Sequence, residues 1–401
     1  MQTTKIQEVP FCWPQGFKSD GIHTGLKKAT DQLDLGWLYS AVPAQAAGMY
    51  TTNRFCAAPT AITKQLINKQ QQLQAIIMNS AIANSCTGTT GEANVHQEQK
   101  LVAQKLKINS NLVGVASTGL IGAQLPMSKI TAGINKLQLT TNTKVTQAIL
   151  TTDTHAKKIS LQFKLANQLC TISGFAKGSG MIAPNMATML GFVTTDVAVA
   201  PNVLQPLLSK LTDKTFNQIS VDGDTSTNDM VVVLANGQAG NSPLTEAAPD
   251  WSIFTAALHQ VLAFLAQQIA GDGEGATKLL EVNVNHAATE SEGQQVAKAL
   301  VGSNLVKAAF FGADPNWGRI ISTLGMTKAQ FNPQQIDLAF NEFQILIASQ
   351  PQEFEQKAVI ASLKQNKIKI SLDLHAGNAS GQAWGCDLTY DYVKINATYS
   401  S

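Results

Sequence analysis

Arginine is almost absent from this chain. Of 29 basic residues in 401, only Arg54 and Arg319 are arginines; lysine supplies the rest. No basic block interleaved with aromatic residues occurs and the formal net charge is only +2, which argues against nucleic acid as the main partner. With so few guanidinium groups, each is expected to hold a specific planar partner; for Arg319 that is Asp314 or a bound carboxylate. Cysteine is scarce as well. Cys12, Cys56, Cys86, Cys170 and Cys386 are odd in number, widely spaced and without a C-x-x-C pair. That disfavours a disulfide framework and zinc-type spacing, and it fits a reducing cytoplasm. His23, His96, His155, His259, His286 and His375 make no H-x-x-x-H or H-E-x-x-H pattern, so no metal site is expected. The Gly-x-Ser-x-Gly elbow of α/β-hydrolases is missing, and so is the Gly-Lys-Ser/Thr end of a phosphate loop. No apolar h-region follows Met1, so no signal peptide is expected. The longest apolar stretch, Ile253 to Ala270, is interrupted by His259, Gln260, Gln267 and Gln268. It reads as a buried or amphipathic helix and not as a membrane span.

What is present is an ordinary apolar content of 44%, enough for a large core, over a length that suits two domains or one large layered unit. Strands are expected at Gln74 to Asn79, Leu112 to Ser117, Ile159 to Leu165, Leu190 to Val199 and Met230 to Leu234. Further strands are expected at Lys278 to Val284, Lys367 to Leu374 and Ala383 to Ile395. Helical spacing covers Asn94 to Leu106, Trp251 to Ala270 and Gln294 to Ala309. The alternation favours an α/β class, with a linker around Ala239 to Asp250.

The chemistry concentrates in a few polar turns. Lys177-Gly178-Ser179-Gly180 leads through Ala183-Pro184-Asn185 to Ala187-Thr188 and an apolar run. A threonine hydroxyl needs a base to act as a nucleophile, and its own α-amine can serve if the chain is cut just before it. Hydroxyl and amine then share one residue, and an α-amine pKa of about 8 suits proton transfer near neutrality. The plain alternative is a Ser-Gly loop entering a core strand. Thr118-Gly119 ends an apolar run and can offer a hydroxyl and a backbone N–H to one point, as an oxyanion hole requires; a tight strand-to-helix turn is the alternative. Glu274, set among Gly271, Gly273 and Gly275, could meet a substrate ammonium or simply polarise a turn. Asp222 to Asp229 begins like a calcium loop but has Thr227 where glycine belongs and Val233 where the bidentate glutamate belongs. It is therefore read as a hydrogen-bonded supporting turn.

Taken together, these segments resemble the ornithine acetyltransferases, the glutamate N-acetyltransferases of arginine biosynthesis. The resemblance runs from near Gly21 to the C-terminus. It includes Pro43 to Gly48, Ala57-Ala58-Pro59, Thr151-Thr152-Asp153-Thr154, the Asp272 to Lys278 turn and Gly312 to Arg319. It departs at Ala81 and Ile82, where the family usually has glycine and asparagine, and at the final Ser401, where threonine is common. The resemblance implies a layered αββα-type sandwich, similar to N-terminal-nucleophile enzymes but distinct in topology. It implies self-cleavage between Ala187 and Thr188 into an α chain, 1–187, and a β chain, 188–401, assembled as α2β2. Thr188 would be the nucleophile, and Thr118 and Gly119 the oxyanion pair. Thr152, Lys177, Glu274, Asn396 and Ser401 would join Thr188 in binding substrate. N-acetylornithine and glutamate are the implied substrates, with no tightly bound cofactor and with acetyl-CoA left open as a second acetyl donor. An N-terminal-nucleophile aminopeptidase or amidase is the competing reading.

Overall fold

A computed structural model describes residues 6–182 and 189–398. The chain forms two compact units. The first comprises Met1–Gly178, Asn185–Asp213 and Thr225–Leu265; the second comprises Ser179–Pro184, Lys214–Asp224 and Ala266–Ser401. The first unit thus draws on both sides of the 187/188 junction, and the 239–250 segment lies inside it and separates no domains.

Nine strands form the sheet of the first unit. The main path is Gln7–Val9, Lys157–Leu165, Gln168–Lys177, Leu190–Thr195, Met230–Ala235, Leu35–Tyr50, Gln72–Asn79 and Val113–Ser117. Phe17–Ile22 pairs with Leu35–Tyr50 off this path. The strands at Leu190–Thr195 and Met230–Ala235 run parallel, as do those at Gln72–Asn79 and Val113–Ser117; the other neighbours are antiparallel. Period-two alternation divides the core. Ala75 and Ile77 pack with Trp37, Val113 and Val115 under Val95, Val102, Ile130 and Ile134 of the helices Gly88–Leu106 and Met127–Lys136. Ile76 and Met78, one residue out of phase, join Leu38, Phe175, Phe192 and Val232 in another cluster. The helix Trp251–Gly271 is long and apolar enough to cross a membrane, but here it is a core helix, with Phe254, Leu258, Val261 and Leu265 fully buried. Gly174 lets it approach, since a Cβ there would press on Val261 and Leu265.

The second unit holds a seven-stranded sheet in the order Gln350–Pro351, Phe343–Ile347, Asp337–Phe340, Lys367–Asp373, Leu279–Ala287, Ala379–Cys386, Ile219–Ser220. The helix Glu290–Gly302 packs Val296, Ala297 and Leu300 against Val282, Val284 and Ala383. The mixed α/β class is as expected. Two elements differ from expectation. Ala383 to Ile395 is a strand end followed by a helix, Tyr390–Ala397, because Thr389 caps it by accepting from the Tyr392 N–H at 3.2 Å. The helical stretch Gln294 to Ala309 is two helices, Glu290–Gly302 and Asn304–Phe311, broken at Ser303, whose hydroxyl caps the second.

Candidate active site

In the first unit, Lys177 ends the strand Gln168–Lys177 and is 2% exposed. Its ammonium lies 3.8 Å from Asp153, in the Thr151–Thr154 turn, and Lys157 contacts the same carboxylate at 2.7 Å. The N–H groups of Gly178 and Thr151 also donate to Asp153, at 2.7 and 3.1 Å. Burial would raise the Asp153 pKa, but Lys177, Lys157 and the Gly178 N–H together hold it well below the usual carboxylate range. Thr152 is half-buried in the same turn, next to this cluster. Asp153 was present in the sequence motif, but its role as counter-ion to Lys177 was not drawn from it.

Thr118 and Gly119 follow the strand Val113–Ser117. The Thr118 N–H is committed to the Asn79 carbonyl at 3.1 Å, so the groups this turn can turn toward an oxyanion are the Thr118 hydroxyl and the Gly119 N–H. Gly119 has φ +126 and a Cβ there would overlap the Ala81 backbone, so no other residue fits. Ala81 itself sits at φ +77, in the left-handed region that favours glycine, which is the residue the family usually has there. The turn is tied to the 222–229 segment: the Asn228 amide donates to the carbonyls of Ala83 and Ser117, at 2.6 and 2.9 Å.

Asp229 follows Asn228 and is fully buried. One oxygen accepts from the Met189 N–H at 3.0 Å, one peptide beyond Thr188. The hydroxyls of Thr51 and Ser226 lie near its carboxyl and favour the ionised form only weakly. Burial pushes its pKa well above the usual value, outweighing the Met189 N–H and the charge of Lys177. Sequence reasoning placed Asp229 only in a supporting turn and missed its bond to Met189.

In the second unit, Glu274 is 7% exposed and accepts from the Asn396 side-chain amide at 2.8 Å. Its N–H donates to the Ser179 carbonyl at 3.0 Å, and the Ser179 hydroxyl donates to the Asp272 carbonyl at 2.6 Å. A Cβ at Gly180 would overlap the Glu274 carboxyl, which explains glycine there. Asp222 accepts from the N–H groups of Met181 and Ile182, at 2.6 and 2.7 Å, and from the Tyr392 hydroxyl at 3.2 Å. Burial raises the Asp222 pKa despite these bonds. The supporting role expected of this turn therefore has a definite form: its first aspartate holds residues 181–182 and its last holds Met189.

The structure therefore brings Glu274 and Asn396 together, and it places Lys177 beside the Thr152 turn. Ala187, Thr188 and Ser401 lie outside the described residues. The expected Arg319–Asp314 pair does not form: Arg319 meets no carboxylate among the described residues, and its Nη1 donates to the Leu305 carbonyl at 2.7 Å. That bond ties the helix Trp317–Gly325 to the helix before it.

The ArgJ family profile matches residues 18–401. The chain is 60% identical over 399 residues to the arginine biosynthesis bifunctional protein ArgJ of Lactiplantibacillus plantarum, covering 100% of this chain and 99% of that one. It is 50% identical over 390 residues to the protein of the same name from Lactococcus lactis, covering 97% of this chain and 98% of that one. Among solved structures, the arginine biosynthesis bifunctional protein argJ of Bacillus halodurans shares 54% identity at a TM-score of 0.51. That match covers 51% of this chain and 97% of that one. With the family matched over nearly its whole length, this chain belongs to the ArgJ family.

Proposed function

We propose that this chain is a self-processing acetyltransferase of arginine biosynthesis, moving the acetyl group of N-acetylornithine to glutamate. The observation that carries the reading is whole-length identity of 60% to a protein named for arginine biosynthesis, in a chain that keeps Thr118, Gly119, Lys177, Glu274 and the Ala187-Thr188 pair.

The Thr188 hydroxyl first adds to the Ala187 carbonyl carbon. Its proton passes to the amide nitrogen as the C–N bond breaks, leaving an ester. Water hydrolyses the ester to the Ala187 carboxylate, freeing the Thr188 hydroxyl and α-amine. Two chains result, 1–187 and 188–401, in an α2β2 assembly. In turnover, Thr188 Oγ attacks the acetyl carbon of N-acetylornithine, and the α-amine takes the hydroxyl proton and passes it to the departing ornithine nitrogen. The amine of glutamate then attacks the acetyl-threonine, and the Thr188 oxygen recovers a proton as N-acetylglutamate leaves. The Thr118 hydroxyl and Gly119 N–H hold the oxyanion; each such donor is typically worth about 10²–10³ in rate. Lys177 supplies positive charge for a substrate carboxylate. Glu274, oriented by Asn396, meets the ornithine side-chain ammonium, with Ser401 at the chain end adding a carboxylate. Thr152 contributes a hydrogen bond.

The relatives are named bifunctional, and we extend this to the chain as acetylation of glutamate by acetyl-CoA on the same threonine, with no tightly bound cofactor. Five free cysteines fit a cytoplasmic setting.

The test is a denaturing gel with N-terminal sequencing. Wild type should give two fragments, one beginning at Thr188, and Thr188→Ala should stay full-length and form no N-acetylglutamate. An intact wild-type chain that is active would end the N-terminal-amine mechanism. Acetate release indifferent to glutamate would favour the amidase reading, and no N-acetylglutamate from acetyl-CoA would remove the second activity.

A further inference from the structure

We propose that the second unit carries a transition-metal site of the zinc class, ligated by His286, His375 and Asp373 and braced by Asp337. It lies outside the acetyl-transfer machinery and uses none of its residues.

Strand register brings the donors together. Asp337–Phe340, Lys367–Asp373 and Leu279–Ala287 are consecutive neighbours, with Asp337 and Asn285 paired to Asp373 from either side. Asp337, Asp373 and His286 therefore meet at one end of the sheet, and His375 follows two residues after the middle strand. The backbone holds this turn firmly. Leu374 N–H donates to the Asn285 carbonyl at 3.1 Å, and Ala376 and Gly377 donate to the His286 carbonyl at 2.7 and 3.0 Å. His286 and His375 both adopt left-handed backbone, φ +48 and +47, which non-glycine residues seldom enter. The two rings stack with centroids 6.1 Å apart and planes 15° apart.

The donor atoms face one another. His286 Nδ1 lies 2.6 Å from one Asp373 oxygen, and His375 Nδ1 lies 3.5 Å from the other. One ligand atom from each of the three residues falls within 4.8 Å of the others. Ligands about 2.1 Å from zinc stand about 3.4 Å apart in a tetrahedral site, a spacing small side-chain rotations supply. The second observation is on the far side of His375. Its Nε2 lies 2.8 Å from Asp337 Oδ2, and Asp337 Oδ1 is itself fixed by the Ala348 N–H at 2.8 Å. A carboxylate holding the Nε2 proton leaves the Nδ1 lone pair toward Asp373 and His286, the tautomer-fixing partner that metal-binding histidines normally have.

Two imidazoles and a carboxylate suit zinc, with cobalt and nickel as close substitutes; calcium and magnesium prefer oxygen donors. The exposed side leaves room for water as a further ligand. On binding, His286 gives up its Nδ1 proton, to its own Nε2 if the ring is neutral and to solvent if it is charged. Bonds to the metal then replace its hydrogen bond to Asp373. An ion here would join the ends of two neighbouring strands, with Asp337 on a third holding His375. The ligands escape a search by spacing because His286 and Asp373 are 87 residues apart.

The experiment uses the full chain, stripped with EDTA and titrated with zinc chloride, followed by calorimetry and thermal unfolding. Expected are one zinc per chain and a rise in Tm that EDTA reverses. His286→Gln and His375→Gln should each weaken binding at least about tenfold, and Asp337→Ala about 10- to 100-fold although every ligand remains. The Cys56→Ser/Cys86→Ser variant, which removes the exposed thiols, should bind as wild type. Zinc affinity unchanged in His375→Gln, or lost with the cysteines, would overturn the site and leave ordinary His–Asp pairs. Should the histidine variants fail to fold, cobalt titration of the wild type decides. Visible bands without thiolate absorption support the site, and no cobalt spectrum sinks it.

Discussion

The turns around Asp153 and Asp229 both bury a carboxylate in the first unit, and the two acids are displaced in opposite directions. Asp153 has Lys157 at 2.7 Å and Lys177 at 3.8 Å, and it stays ionised far below the usual carboxylate range. Asp229 feels Lys177 only as a secondary influence, beside the Met189 N–H and the Thr51 and Ser226 hydroxyls, and burial outweighs them and drives its pKa up. Desolvation acts on both; what differs is whether a cation was buried alongside. The first turn holds fixed charge, fitting a place where a substrate carboxylate must be met. The second holds an acid that resists ionising, bonded to the Met189 N–H.

The contrast is broken most strongly by removing the cations. Lys157→Met/Lys177→Met should cost about 3–5 kcal/mol in denaturant unfolding at neutral pH, since it strands a buried carboxylate. The sign follows from the depressed folded pKa: Asp153 contributes stability above its unfolded pKa of about 3.9, and this is lost as pH falls toward the folded value. The deficit of the double variant should therefore shrink in acid; a deficit constant with pH would mean the lysines act by packing. Asp229→Asn tests the other half. A raised folded pKa means the penalty is absent below about pH 3.9 and accumulates as pH rises toward the folded value. The variant should thus gain about 1–2 kcal/mol at pH 8 and less at pH 4. Equal gains at both pH values would show that Asp229 is not a strained acid. The smallest effect sharpens the comparison as a charge-free control. Ala81→Gly relieves a left-handed backbone and should stabilise by about 1 kcal/mol at every pH tested. A pH-dependent shift in Tm there would mean the Thr118 turn is coupled to one of the two acids.

The sequence showed strands best where β-branched or apolar residues ran unbroken, as in Met230–Ala235. The long strand Leu35–Tyr50 was not among the expected strands; Pro43 and Gly48 interrupt its apolar pattern. Pro43 sits at the register break between Tyr39 and Ala44, where a strand tolerates proline. Gln168–Lys177 was not expected either; its Gly174 is small because a helix packs on it. For the site, residue types and the family resemblance singled out Glu274, Asn396 and Lys177, but not their partners. The sequence separation of 122 from Glu274 to Asn396 is spanned by strand pairing and by a helix cap at Thr389, neither of which local spacing encodes. Arg319 misled for the opposite reason: rarity suggested an ionic role, and the guanidinium serves a backbone carbonyl.

The strands on either side of the junction, Gln168–Lys177 and Leu190–Thr195, are antiparallel neighbours, paired from Ile172↔Thr195 to Lys177↔Leu190. The cut proposed between residues 187 and 188 would sever a connection between two strands that this ladder already pairs. On that proposal the covalent connection serves to find this pairing and is dispensable for keeping it. A cut chain, once unfolded, would then have to reunite two separate molecules. On the proposed cut, refolding after denaturation should be a concentration-dependent, second-order event for the wild-type protein and a first-order one for an uncut Thr188→Ala variant, so that the cut fold is regained only by encounter.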